Sequence, residues 1–246
     1  MLQSKSNILY VRAALKPLAR KIKAAGGVLN FLREHIEFNE IFVPYFFGPR
    51  PFWRSREKHA LRGTNSGSLG KLISKHPNSE VSKHPTHSFT GLGERVVLEL
   101  RKHDGSVSCF HPIKTLAEKY DFSMLLLGCL KESPGFSTVH VAQQQLGLSQ
   151  RHLLRFIGRW DEKCCGEVKS YIAPESPGCS TSFDKFYPYY QADNNLVYGE
   201  WHEVSWIFIP SALKALNTEL SLLRSRGGRF IDCGRLTCLT CRLRLY

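Results

Sequence analysis

Apolar residues along this chain alternate between a strand-like and a helix-like period. Residues 8–15, ILYVRAAL, form a run of β-branched and aromatic residues that gives way to small ones, the mark of a buried strand entering a loop. From 17 to 34 the spacing lengthens. Leu18, Ile22, Leu29 and Leu32 share one side of an amphipathic helix, interrupted by Gly26 and Gly27. Ile41, Phe42 and Val43 make a short strand, and Pro44 is expected to end it because proline has no N–H to pair. Strand, helix and strand in that order predict a βαβ unit with parallel strands.

Further along, residues 48–66 are polar, basic and broken by Gly and Pro, so they read as a surface loop. Residues 67–74 predict a short helix. Residues 75–93, KHPNSEVSKHPTHSFTGLG, are too rich in His, Pro, Ser and Gly to be regular throughout, and a functional site is expected there. Residues 112–120 predict a helix with Ile113, Leu116 and Ala117 inward. The run FSMLLL at 122–127, closed by Gly128, has the pattern of a central strand covered on both faces. A helix is expected to start near 137 and to carry His140. Residues 201–210 read as a strand, and 211–223 as a helix with Leu213, Leu216, Leu220 and Leu223 on one face. The expected organisation is one α/β domain over 1–246 with a Cys-rich C-terminal segment at 227–246.

Composition narrows the class. The chain has 246 residues, 42% hydrophobic and 22% charged, enough to bury a substantial core. No apolar run is long enough to span a bilayer, and the N-terminus lacks the pattern of a signal peptide, so a cytoplasmic protein is expected. The net charge is +13. Residues 1–60 carry +7 and residues 221–246 carry +5, whereas the middle is nearly neutral. Basic ends attract anions such as a phosphorylated cofactor, although solvated faces explain such charge equally well. Eight cysteines in a reducing compartment point to thiols rather than disulfides. Cys233, Cys238 and Cys241 show C-x4-C-x2-C spacing, and Cys179 offers a fourth thiolate. A structural zinc ion on these four and a set of free thiols are both open.

Three stretches carry a family resemblance. The sequence GTNSGSLGKLISKHPNSEVSKHPTHSFTGLG at 63–93 contains a His-Pro-x-x-Ser loop at His84, Pro85, Thr86, His87 and Ser88. LLLGCLKESPGFSTVHVA at 125–142 joins an apolar strand through Leu-Leu-Gly and a Ser/Thr turn to a His at a helix start. More weakly, residues 8–48 match an opening βαβ unit, with Arg12, Ala13, Ala14 and Leu15 after the first strand. In this order the stretches resemble the aminoglycoside 3-N-acetyltransferase family. The resemblance implies a three-layer α/β/α fold with a mixed, largely parallel central sheet. It implies direct acetyl transfer from acetyl-CoA to an amine. His140 would be the general base and Gln143 the residue behind it. Arg12, Ala13, Ala14, Leu15, Pro44, Tyr45, His84, His87 and Ser88 would line the CoA site. The family places Glu three residues after the catalytic His, in a His-x-x-Glu pattern, where this chain has Gln143. Where the family has serines in the first loop, this chain has Ala13 and Ala14.

Three functions stay open on the sequence. The first is an acetyl-CoA-dependent N-acetyltransferase acting on an aminoglycoside or a similar amine. The second is a homologue that keeps the fold and CoA binding with impaired catalysis. The third, disfavoured by the lack of any recognition-helix or RNA-binding signature, is a basic nucleic-acid-binding protein with a C-terminal zinc knuckle. A polycationic acceptor would call for acidic residues at the cleft, and Glu162, Glu167, Glu175 and Glu200 are the candidates. A homodimer is also open. The aromatic cluster of Phe183, Phe186, Tyr187, Tyr189 and Tyr190 reads first as packing.

Overall fold

The computed structural model describes residues 1–46, 67–150 and 178–243, together with the backbone of two strands between 157 and 172. The surface loop expected at 48–66 lies outside the described residues, as do Cys164, Cys165 and the side chains of Glu162, Glu167 and Glu175.

The elements run β1 (Leu2–Gln3), β2 (Ile8–Ala13), α1 (Ala19–Ala24), α2 (Val28–Arg33), β3 (Ile36–Glu37), β4 (Glu40–Phe46), α3 (Ser68–Ile73), β5 (Glu80–Val81), β6 (His87–Leu92), α4 (Glu94–Arg101) and α5 (His111–Tyr120). Then come β7 (Ser123–Leu127), α6 (Thr138–Gln145), β8 (Ile157–Glu162), β9 (Glu167–Ile172), α7 (Tyr187–Ala192), β10 (Val197–Trp201), β11 (Val204–Ile209), α8 (Ala212–Arg226) and α9 (Leu239–Arg242). Seven strands form one sheet in the order β10-β11-β7-β2-β4-β6-β5. It is mixed: β7, β2 and β4 are parallel to one another at its centre, and antiparallel strands flank them on both sides. The short β1 pairs with β3, and β8 with β9.

Alternation along the central strands accounts for burial on both faces. Ile8, Tyr10, Met124 and Leu126 join one apolar cluster with α4, α5, α6 and α8. Their neighbours Leu9, Val11, Leu125 and Leu127 join a second with α2 and α3. The continuous apolar run at 122–127 is therefore a strand sealed on both sides, as its pattern predicts.

Four sequence expectations need correction. The helix over 17–34 is two short helices, because Gly26 and Gly27 take φ of +75° and +133° and break it. Pro44 does not end its strand. The ladder to β2 stops at Phe42, so Pro44 lies beyond the last β2–β4 pair, where no N–H is called on for that ladder. Residues 201–210 are not one strand. His202 and Glu203 turn the chain with φ of +51° and +65°, a hairpin reversal between β10 and β11. On α8, Leu213 lies off the buried face, which instead carries Glu219 with Ala212, Ala215, Leu216, Leu220 and Leu223.

Candidate active site

In an open α/β sheet, ligands bind beyond the carboxyl ends of the parallel strands. Here β2 ends in Arg12 and Ala13, β4 in Pro44 to Phe46, and β7 in Leu127 before Gly128. Because β6 runs antiparallel to β4, its first residues reach the same end: His87 pairs with Phe46, Ser88 with Tyr45 and Phe89 with Pro44. Gly128 turns the chain out of β7 with φ of +66°. A Cβ there would lie 2.9 Å from Val204 Cγ1 and 3.2 Å from the Ala14 carbonyl, so only glycine fits.

From this turn the chain passes through 133–137 into α6, which carries His140. The approach is tethered from the sheet. Arg12 donates from Nη1 to the Gly135 carbonyl at 2.9 Å and from Nη2 to Ser133 Oγ. The buried Tyr10 hydroxyl bonds Ser137 Oγ at 2.8 Å. His140, half-buried, donates from Nδ1 to Gln143 Oε1 at 2.9 Å. That bond places the lone pair of the neutral ring on Nε2. Gln143 is fully buried, and its Nε2 has no hydrogen-bond partner. Two aromatic rings fix the plane of the imidazole. Phe110 stacks on it at 4.7 Å and 19°, and Phe183 meets it edge-on at 4.9 Å.

Phe110 also joins the two segments expected to share the site. The ring of His87 packs against it at 5.3 Å, so the 84–88 loop and His140 meet at one phenyl ring. The loop is tightly organised. His84 Nδ1 accepts the backbone N–H groups of His87 at 3.0 Å and Thr86 at 3.3 Å, and Ser88 Oγ donates to the His84 carbonyl at 2.6 Å. His84 stacks on His103 at 4.7 Å. His103 accepts at Nδ1 from Ser82 Oγ and donates from Nε2 to the Ser108 carbonyl. Burial pushes these imidazoles down, His84 to about 2, His103 to about 3 and His87 to about 4, with neighbouring imidazoles adding to the shift at His84. All three are therefore neutral at physiological pH.

The remaining candidates lie at the same end of the sheet. Ala13 and Ala14 are half-buried, Leu15 is buried, and the Ala14 amide donates to the Leu127 carbonyl at 2.9 Å. Pro44 and Tyr45 are buried in β4. Glu200 is an exposed residue of β10 that accepts from Ser205 Oγ.

Several supports are not evident in the sequence motifs. Phe110 and Phe183 frame His140, and the Tyr187 hydroxyl accepts from the Gly135 N–H at 3.0 Å. Glu219 on α8 accepts from Thr138 Oγ1 at 2.6 Å and from the Tyr190 hydroxyl, holding the first turn of α6. Burial drives its carboxyl up to about 8 against the pull of those two bonds. A charged residue at the spacing of Leu216, Leu220 and Leu223 was the one sequence signal for it. Among the described residues no helix is long and apolar enough to cross a membrane.

No protein-family model matches the sequence, and no curated protein does. Solved structures do. The aminoglycoside acetyltransferase AAC(3)-IVa apoenzyme superposes with a TM-score of 0.70 over 98% of this chain and 90% of its own, at 18% identity. AAC-IIIb in a binary complex with CoASH gives 0.65 over 90% of this chain and 91% of its own, at 14% identity. A histidine-to-alanine mutant of AAC(3)-IVa in complex with a gentamicin gives 0.68 over 98% and 90%, at 17% identity. The chain has the fold of the aminoglycoside 3-N-acetyltransferases, at a sequence distance that makes it a divergent example of that fold.

Proposed function

We propose that this protein is an acetyl-CoA-dependent N-acetyltransferase whose acceptor is an aminoglycoside or another amine, with His140 as general base. The observation that carries the proposal is the imidazole at 140, oriented by Gln143 and framed by Phe110, within a fold shared with CoA-binding and gentamicin-binding acetyltransferases. An ammonium has no lone pair, so acetyl transfer needs a base that is neutral near pH 7, and imidazole is the ordinary choice. His140 Nε2 would take a proton from the acceptor nitrogen as that nitrogen attacks the thioester carbonyl. The C–S bond then breaks, and the CoA sulfur leaves with its electron pair and takes up a proton. The 84–88 loop and residues 12–15, 44 and 45 would flank the pantetheine arm and phosphates. Acetyl-CoA is the co-substrate in this reading.

Gln143 supports a second reading, in which the fold and CoA binding persist but turnover is weak. An amide orients the imidazole as a carboxylate would, yet it brings no charge to stabilise the imidazolium. In the serine protease triad, the comparable carboxylate-to-amide change costs about 10⁴ in rate. Thiol release from acetyl-CoA, measured against a panel of aminoglycosides and simpler amines, tests both readings. His140→Ala should abolish release, and Gln143→Glu should raise it by at least about 10² if the amide is the handicap. Release that is untouched by either substitution overturns the assignment of His140. CoA binding without release by wild type, restored in Gln143→Glu, establishes the second reading.

A further inference from the structure

We propose that Cys179, Cys233, Cys238 and Cys241 bind one zinc ion as a tetrathiolate knot, and that this ion fixes the segment that sets Phe183 against His140. One sulfur comes from Cys179 and three from a single segment that begins more than fifty residues later, yet all four lie within 4.8 Å of one another. Sulfur bound to zinc at about 2.3 Å in a tetrahedron has S···S edges of about 3.8 Å. The sulfurs of Cys233 and Cys241 are 3.6 Å apart, close to that edge and well beyond the roughly 2.05 Å of a disulfide. All four are free thiols. The backbone shape also suits a metal. Cys238 donates its N–H to the Arg235 carbonyl and Cys241 donates to the Cys238 carbonyl, a tight turn that opens α9 and keeps the two cysteines close.

An independent observation points the same way. Residues 232–243 bury only one side chain, and it is the thiol of Cys241. Leu236 and Leu239 are 82% and 62% exposed. Ordering a residue costs about 1–2 kcal/mol of conformational entropy, and a segment that buries almost nothing apolar needs another source of order. Metal ligation supplies it, since the binding energy of a structural zinc site is folding energy. Four thiolates on a divalent ion carry two net negative charges, and the positive charge concentrated at 221–246 offsets them.

The knot is tied to His140 by a short path. Ser182 donates to the Ile231 carbonyl, and Lys185 donates to the carbonyls of Phe230 at 3.0 Å and Asp232 at 2.9 Å. The same segment presents Phe183 to His140 and the Tyr187 hydroxyl to Gly135. Removing the ion would release 230–243 and loosen Phe183, whatever part His140 plays.

The test is metal content, which does not depend on acetyl transfer. The full-length protein, purified without chelator, should contain one zinc per chain by elemental analysis. Zinc replaced by cobalt should give the intense visible bands of a tetrahedral tetrathiolate site. Cys238→Ser and Cys241→Ser should each lose the metal, whereas Cys129→Ser, outside the knot, should keep it. Stripping zinc from the wild-type protein should open cleavage by protease within 230–243, and adding zinc back should close it. The inference is overturned if the folded wild-type protein carries no zinc and its four thiols all react with a thiol reagent. Iron in place of zinc, a disulfide between any two of these cysteines, or loss of zinc in Cys129→Ser would overturn it as well.

Discussion

Replacing Glu219 by Gln should remove a pH dependence of stability that the wild-type fold carries between pH 6.5 and 8. In the folded protein this carboxyl is wholly buried and its pKa is raised from 4.5 to about 8 by burial. A raised carboxyl favours folding at low pH, where it is protonated in both states. Throughout the window the unfolded chain has already given up this proton while the folded chain still holds it. Stability therefore falls with increasing pH, by about 1.4 kcal/mol per unit until the folded pKa is reached. The imidazoles of His84, His87 and His103 complicate the range below 6.5, because their depressed folded pKa values act in the opposite direction there. Above 6.5 they stay neutral in the folded state while the unfolded imidazoles lose their remaining protons, a contribution common to variant and wild type, so the difference between the two proteins reports Glu219.

From 6.5 to 8 the expected loss is about 2 kcal/mol. Glu219→Gln keeps a carbonyl oxygen to accept from Thr138 and Tyr190 but has no proton to release. Urea unfolding of both proteins across this window, followed by tryptophan fluorescence, measures the difference. The stability gap between variant and wild type should shift in favour of the variant by about 2 kcal/mol from the lower to the upper limit. A constant gap would mean that Glu219 is already ionised when folded, and the reasoning from burial would be wrong.

Two further outcomes follow from the same structure. Gly135→Ala places a Cβ 2.0 Å from Phe183 Cβ at a residue with φ of +92°, and should lower stability by about 2–4 kcal/mol in thermal melts. On the acid side, the depressed imidazoles contribute stability above pH 6.5 that is lost as pH falls toward 4, because the unfolded chain binds protons the folded one cannot. Three such groups give a slope of about 4 kcal/mol per unit, and His103→Gln should flatten it by about a third in denaturant titrations at stepped pH.

The parts legible in sequence were those where one pattern decides the outcome. The run at 122–127 closed by Gly128 specified both a two-sided strand and the turn that delivers α6, because φ of +66° beside Val204 and Ala14 admits only glycine. The histidines and serine of the 84–88 loop were visible because their density excludes regular structure. What escaped depends on contacts distant in sequence. Phe110 and Phe183 look like any core aromatic until the fold sets them against His140. Arg12 is expected from the sequence at the CoA site, and nothing in its spacing announces that its guanidinium also ties down 133–135, more than a hundred residues away. Glu219 is hidden in the sequence because the leucines around it carry the apolar spacing and an acid on that face breaks it. Pro44 stays in its strand because the rule against proline holds only where its N–H would enter a ladder, and the pairing of β4 with β2 stops at Phe42.

These misses share a theme that bears on the proposed chemistry. His140 is positioned from three directions: Arg12 and Tyr10 hold the turn before α6, Glu219 holds its first residue, and Phe110 with Phe183 holds the ring itself. Gln143 then needs only to select the tautomer, which a neutral carbonyl does as well as a carboxylate. Positioning acts on ground state and transition state alike, whereas charge behind the imidazole acts only as the imidazolium forms. An amide at 143 should therefore leave acceptor binding intact and lower the rate of the bound complex. On the acetyltransferase reading, Gln143→Glu should raise kcat with little change in KM, and a gain confined to KM would place the carboxylate's effect in substrate binding instead.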